Sequence, residues 1–474
     1  MTSPSGQPSS LPPLSVTPQQ IVERGLAGET GFARVVICED IWVSNLRWAI
    51  STLTTNGEMR SRHVTVVAME RVSRGVGAGT STGQVTSLDD VDELVLAACA
   101  TARATPPLDD AGELPDRIVD IDWEEEPVDS SSRALSPITA ALGVVLDQSL
   151  TKSVELFGYA EQSVCNYYLG TSTGTRRRFV QRGARLEHCG KSHGRTRSAW
   201  AGWSGEDLAG ADVQSLDVEV ARGLGRQSVQ LQVAPGRHPV TLSPSAVGDL
   251  ALSQYWDSIA RHARDGRSAF SSAHGGTRLG EQLTTVPITF ASDPYAEGLQ
   301  CLPFAVAASS SAHASVFDNG LPLQRTKWVD SGRLNALIAP RFEASQGHVL
   351  PSPLVDNLRV DVEQGAGSMW DVAETMGNGL LVTSLWYIRT VDPQTMLLTG
   401  LTRDGVYVVS GGEIIGATGN FRFNDSPLRI IASISHAGET QRVLAREWAD
   451  YFLRTAMPTL AVTDFNLSTP SDAI

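Results

Sequence analysis

The densest grouping of imidazole and thiol groups in this sequence is His188-Cys189-Gly190-Lys191-Ser192-His193, two histidines five positions apart with a cysteine between them. Neutral imidazole and thiolate are the donors zinc prefers, provided they share one helix face or one tight loop. Gly190, Ser192 and Gly194 disfavour a helix here, and Lys191 and Arg195 repel a cation. The segment therefore predicts a polar surface loop rather than a metal centre. His262, His274, His313, His348 and His436 stand singly and read as surface or interface histidines. No G-x-S-x-G follows a strand-like run; Ser204-Gly205-Glu206-Asp207 and Ser243-Pro244-Ser245 read as loop and helix-cap serines. Thr171-Ser172-Thr173-Gly174 lacks the remainder of a phosphate loop and suits a hairpin turn ahead of a basic strand.

A different signal lies in residues 379–427, where short β-branched and aromatic runs alternate with turn chemistry. Strands are predicted at 380–390, 396–401, 406–410 and 413–418, punctuated by Asp392-Pro393, Asp404-Gly405 and Gly411-Gly412. Strand alternation places Trp386 and Ile388 on one face and Tyr387 and Arg389 on the other. The run from Asn420 to Pro427 is polar for the end of a buried sheet, which marks a site or an interface. Candidate groove or interface contacts are Trp386, Tyr387, Arg389, Arg403, Asn420, Arg422 and Asn424. The competing reading is core packing for the aromatics and ion pairing for Arg403 and Arg422.

Several long blocks of this sequence occur in one order: WAISTLTTNG (48–57), SAWAGW (198–203), LSPSAVGDLA (242–251), SVFDNGLPL (315–323), GLLVTSLWYIR (379–389), VDPQTMLLTGLTRDGVYVV (391–409), NFRFNDSP (420–427) and REWADYF (446–452). Together they resemble the TldD/PmbA family, in an actinobacterial-type branch of its TldE-like subunits, over nearly the whole chain after about residue 22. Peptidase members of that family carry H-E-x-x-x-H on a helix, two zinc-binding histidines and a general-base glutamate, completed by a C-terminal cysteine. The resemblance places that motif after LSPSAVGDLA. Here residues 250–257 read LALSQYWD, no histidine occurs between there and His262, and no cysteine follows Cys301.

The resemblance thus implies a chain with no catalytic residue, no metal ligand and no cofactor of its own, paired as a heterodimer with a TldD-like subunit that holds the zinc. It implies action on unfolded or modified peptides, this subunit forming chamber wall and substrate groove, where an extended peptide can add to a sheet edge. Two alternatives stay open: a stand-alone family member recruited to biosynthetic amide or peptide hydrolysis, and a peptide-binding scaffold with no protease partner.

Composition sets the outer bounds. The formal net charge is −14, from 52 acidic and 38 basic residues, and the only basic footprint is Arg176-Arg177-Arg178 with Arg182, Arg185, Lys191, Arg195 and Arg197. That argues against nucleic acid; the cluster reads as a solvated hairpin face or a docking face for an acidic partner. Residues 109–126 are the acidic counter-pole, an exposed loop pinned by Ile118, Ile121 and Trp123. No apolar run reaches the ~18–20 residues of a membrane span. Residues 1–20 are Ser/Pro-rich without an apolar core and read as a disordered tail rather than a signal. Five irregularly spaced cysteines suit no disulfide framework, which places the chain in the cytoplasm.

The elements that must position these groups divide near residue 230. Residues 21–229 predict an α/β domain, with strands at 33–38, 64–69, 163–169 and 178–189, one or two more within 42–54 before an Asn56-Gly57 turn, and helices at 88–102, 136–157 and 211–225. Residues 230–474 predict a β-rich, barrel-like domain. It opens with a strand into Leu242 and a helix at 245–263 whose stripe of Leu252, Tyr255, Trp256 and Ile259 suits packing, and it closes with a helix at 439–455 and a strand at 459–467. The fold class is α+β.

Overall fold

The structure is a computed structural model that describes residues 16–27, 31–73 and 75–471. Six strands pair antiparallel in a first sheet, β1 (Phe32–Ala49), β2 (Thr52–Val72), β3 (Gly75–Gln84), β4 (Glu155–Thr171), β5 (Arg176–Ser192) and β6 (Arg197–Gly205), in the order β3-β2-β1-β4-β5-β6. Even-numbered side chains of β1 face helices. Val36 and Cys38 meet α1 (Pro18–Leu26) and α2 (Leu88–Ala104), while Leu46 and Trp48 meet α3 (Ser136–Lys152). Odd-numbered Val35 and Ile37 turn the other way and pack on Phe304, Val316 and Phe317 of the second half. α4 (Val213–Arg226) then covers β6.

The second half is built around a closed barrel. β7 (Gly236–Leu242), β12 (Gly379–Asp392), β13 (Leu397–Ser410), β15 (Asn420–Asp425) and β19 (Leu460–Ser471) pair in the cycle β12-β7-β19-β15-β13-β12. β14 (Glu413–Thr418) extends β13, and β16 (Ile434–Ala437) pairs with β19. A mixed sheet follows the order β10-β9-β8-β11-β18-β17, from β8 (Ile288–Ser292), β9 (Thr326–Asp330), β10 (Arg333–Leu334), β11 (Leu358–Val362), β17 (Gln441–Val443) and β18 (Thr455–Met457). Between barrel and sheet lies α5 (Pro244–Asp257), capped by Ser243 with Pro at its start. The shorter helices are α6 (Ala260–Arg264), α7 (Arg341–Gly347), α8 (Met369–Met376) and α9 (Pro427–Ala432). The fold is α+β, with the β-rich half C-terminal.

Several expectations are corrected. Asn56-Gly57 is not a turn: it lies inside β2 opposite Leu46 and Asn45, and the chain reverses at Ile50-Ser51, both at positive φ. Tertiary contacts select that reversal, because Ser51 exchanges backbone and hydroxyl bonds with Leu156 and accepts from Ser149 at 2.7 Å. Asp404-Gly405 is a bulge within one continuous β13, not a break between two strands. The helix expected at 136–157 stops at Lys152, where Ser153 turns left-handed. The helix expected at 245–263 ends at Asp257 and is followed by the separate α6.

Residues 439–455 form no helix. β17, one irregular turn and β18 occupy them, and Glu447 donates its N–H to Asp249 on α5. Of the tail, residues 1–15 lie outside the described residues, but Pro18–Leu26 is helical with a Thr17–Gln20 capping box.

The two charge poles meet within the molecule. Arg177 pairs with Asp120 at 2.9 Å, Arg178 with Asp122 at 2.7 Å and Arg176 with Glu23 at 2.5 Å. Arg176–Arg178 are therefore no free docking face, while Asp109, Glu113, Asp116, Glu124 and Glu126 of the acidic loop stay exposed as expected. Trp123 is buried against Tyr168, whereas Ile121 is fully exposed and pins nothing.

Close approach of α2 to β3 requires glycine. A Cβ on Gly79 would lie 2.2 Å from Ala102 N and 2.4 Å from Ala98 O, whereas one on Gly83 would meet only Leu94 Cδ2 at 3.3 Å. Gly79→Ala is expected to destabilise the chain by about 1–3 kcal/mol through overpacking. Gly83→Ala should cost distinctly less, and urea unfolding of the pair measures the difference.

Candidate functional site

The open face of the first sheet and the barrel meet around one guanidinium. The chain from Leu444 to Phe452 runs beside α5 and delivers Arg446 into a sandwich, 4.9 Å from the Trp200 ring centroid of β6 and 5.3 Å from that of Trp386 on β12. Arg446 forms an ion pair with Asp404 in the β13 bulge and donates to Ser384 Oγ at 3.0 Å. The bulge exists because Asp404 and Gly405, both at positive φ, stand opposite the single residue Thr383, whose hydroxyl donates to both of their carbonyls. Burial opposes charge on Asp404, but Arg446, the Ser198 hydroxyl and Arg403 together hold its carboxyl below the usual range.

Two recesses open beside this sandwich, and Trp200 lines both. One of about 480 Å³ wraps the edge of β6, between α4, the start of α5 and the start of α8, with Trp370, Tyr407 and Met369 in its wall. The other, of about 500 Å³, lies on the open face of the sheet between Arg47, Tyr159, Arg185, Glu187, Arg446 and Asp450. Burial lifts the Glu187 carboxyl above its ordinary value despite Arg185 and Arg446, and pushes the Cys189 thiol up to about 12. A thiol so placed is no nucleophile at neutral pH. Ser243 and Ser245 are also engaged, donating to Thr383 O and Leu444 O. The arrangement suits binding of a polypeptide segment by rings, guanidinium and carboxyl groups.

The residues singled out in the sequence distribute unevenly over this site. Trp386 and Arg403 belong to it, with the Arg403 guanidinium 5.6 Å from the Trp386 ring. Tyr387 and Arg389 sit just outside. A second bulge puts Tyr387 at positive φ, so strict alternation fails: Leu385 and Ile388 enter the core while Trp386 and Tyr387 touch edge to face at 5.9 Å. Glu447 sustains that bulge by accepting the N–H groups of Tyr387 (2.9 Å) and Ile388 (3.0 Å), and it also pairs with Arg389.

Asn420 lines a separate recess of about 250 Å³ that shares Asp404. Arg422 is exposed and donates to Thr399, and Asn424 donates to Ser468. They lie apart from the sandwich, on the outside of β15, whose Phe421 and Phe423 face the barrel core. Arg446, Asp404, Trp200, Glu187, Glu447 and Asp249 were not singled out in the sequence. All but Glu187 lie in blocks that resemble the family, but only tertiary structure unites them.

His188 is not part of a surface loop. It is buried in β5 with Nε2 3.2 Å from Asp217 and its ring 5.9 Å from Trp48, whereas His193 lies beyond the strand in the following turn. The five cysteines are unbridged.

The profile of the PmbA/TldA metallopeptidase C-terminal domain matches residues 235–469. The chain belongs to the PmbA/TldD family. No curated protein matches the sequence. Among solved structures it is similar to TldE from Thermococcus kodakarensis, at 11% identity and a TM-score of 0.75 over 95% of this chain and 99% of that one. It is also similar to two proteins titled putative modulators of DNA gyrase. The one from Thermotoga maritima has 15% identity and a TM-score of 0.70 over 94% and 99% of the two chains. The one from Bacteroides thetaiotaomicron has 12% identity and a TM-score of 0.72 over 95% and 98%. These likenesses show a shared fold. No helix among the described residues is long and apolar enough to cross a membrane.

The family's metallopeptidase character raises the question of zinc, and the residues along α5 do not fit it. Every residue from Pro244 to Tyr255 is buried, and the sole acid among them, Asp249, faces the Glu447 N–H with neither imidazole nor thiolate beside it. Trp256 packs edge to face on Trp448 at 5.0 Å and on Phe452 at 5.9 Å. Among the described residues no three His, Cys, Asp or Glu side chains gather as a metal site.

Burial raises the Asp249 carboxyl well above the usual aspartate range, and the nearby Glu447 adds to this. A raised folded-state value contributes stability that is full below the ordinary aspartate range and is lost as pH rises through the raised value. Asp249→Asn is expected to flatten that decline in stability-versus-pH curves. Arg446→Ala leaves the buried Asp404 with only the more distant Arg403 at 3.6 Å and is expected to cost about 3–5 kcal/mol; pairing it with Asp404→Asn should recover part of the loss in the same urea assay.

Proposed function

We propose that this chain is the metal-free, TldE-like subunit of a heterodimeric metallopeptidase, pairing with a TldD-like chain that carries the zinc. The observation that carries this reading is the content of α5. Where the family's peptidase motif would follow LSPSAVGDLA, the helix holds Leu250, Leu252, Tyr255 and Trp256, packed into the core against Phe452 and Trp448. A buried helix of that kind serves as a wall, and the metal comes from the partner.

The substrate is unfolded or modified peptide. The two recesses beside Trp200 offer ring and guanidinium surfaces to an extended segment, and β6 is the end strand of its sheet, to which a peptide can add. Backbone pairing of that kind accepts many sequences and excludes folded chains, so this subunit contributes groove and orientation while the partner cleaves. Such a pair works in the cytoplasm.

Co-expression with a family member bearing H-E-x-x-x-H supplies the test. Peptidase activity is expected only in the mixture, abolished by a chelator and restored by zinc. Chelator-sensitive hydrolysis by this chain purified alone would sink the proposal.

A further inference from the structure

Where the open face of the first sheet lines the 500 Å³ recess, it carries more hydrogen-bond donors than free acceptors. Arg47 reaches the rim from β1, Arg185 comes from β5, and Arg446 closes the far side. The Nε of Arg185 and the Nε of Arg446 are buried without a hydrogen-bond acceptor, and both residues line this one recess. Native structures seldom leave buried donors unpaired, so two guanidinium donors around one opening point to a missing acceptor-rich group.

The acids already present supply that group poorly. Asp404 is taken by Arg446, and Glu161, beyond hydrogen-bond reach at 3.7 Å from Arg185 Nε, accepts from the Tyr159 hydroxyl at 2.5 Å. Glu187 is half-buried, and desolvation disfavours its charge. Asp450 reaches Arg185 at 2.7 Å from a side chain that is 73% exposed, so it can swing into water at little cost. Around the donors stand the rings of Phe157, Tyr159 and Trp200, flat walls for a planar group.

We propose that this recess is a carboxylate-binding subsite, taking an acidic side chain or the terminal carboxylate of an extended peptide between Arg47, Arg185 and Arg446. It rests on the peptide-binding reading above and narrows it to acidic peptides. Guanidinium groups match a carboxylate in planar, forked geometry, and the partly desolvated walls strengthen each contact. Asp450 is then an internal competitor that an incoming carboxylate displaces from Arg185.

The test uses this chain alone, with three peptides of equal length: a glutamate peptide with amidated C-terminus, its glutamine counterpart, and the glutamine peptide with a free C-terminus. Binding is followed by calorimetry and by tryptophan emission, to which Trp200 in the recess wall contributes. One or both carboxylate-bearing peptides should bind about tenfold tighter than the amidated glutamine peptide, a preference of roughly 1.4 kcal/mol. The advantage should shrink as salt is raised. The first and third peptides separate a side-chain from a terminal source.

Arg47→Glu should weaken binding about tenfold, whereas Asp450→Asn, which frees Arg185, should tighten it. Both residues are exposed, and unchanged circular dichroism checks that the fold survives. Equal affinity for the three peptides, binding of none, or indifference to Arg47→Glu would overturn the subsite. Carboxylate binding by this chain with an inactive mixture sinks the subunit reading and leaves the subsite. An active mixture indifferent to peptide charge does the reverse.

Discussion

The buried pair of Arg446 and Asp404 is the contact on which the junction depends. Removing two charges from water is expensive, and only close geometry with further hydrogen bonds recovers the cost. Here the recovery draws on every neighbouring element: Ser384 from β12, the bulge of β13, and the two indole faces of Trp200 and Trp386. A guanidinium between two rings exploits its flat, weakly hydrated faces, which an ammonium does not have. This pair ties the first sheet to the barrel, and the recesses on either side of Trp200 inherit their shape from it. Asp404 adopts positive φ, tolerable for a short polar residue beside glycine, so backbone conformation and charge placement are one requirement.

Much of the fold was legible because periodicity reports burial directly. The stripe of Val91, Val95, Ala98 and Cys99 marked α2, and the alternation of residues 178–189 marked β5. Dipeptides that permit positive φ were legible as chemistry but not as geometry. Gly411-Gly412 is a turn as read, Asp404-Gly405 became a bulge from the same backbone freedom, and Asn56-Gly57 stayed within a strand. At Gly57 the small residue answers a neighbour instead, since a Cβ there would meet Asn45 Oδ1 at 3.1 Å. Residues 439–455 misled for a related reason: their apolar spacing suits a helix, yet Leu444, Ala445 and Phe452 are buried from an irregular path whose polar groups are satisfied by Asp249 and Tyr387.

The site was less legible than the fold, because its members come from many separate stretches and none is unusual alone. Trp386 and Arg403 were visible in the polar, aromatic stretch that also contains Asn420, but Arg446 and Glu187 act only through contacts far apart in sequence. Charge clusters posed the same difficulty. Arg176–Arg178 read as a solvated or docking face and residues 109–126 as an exposed loop, and part of that loop instead lies along β5 with Asp120 N bonded to Arg176 O at 2.9 Å. Opposite poles in one chain are as readily a sign of self-pairing as of a partner.

The barrel's continuity has a consequence for its behaviour among other polypeptides. Each of its five strands has a neighbour on both sides, and the outer flank of β14 is itself covered by residues 229–231 through the Leu231 N to Ala417 O bond. The barrel thus offers no ready template for cross-β growth. Such a surface can stay in prolonged company with denatured protein without being recruited into its aggregates.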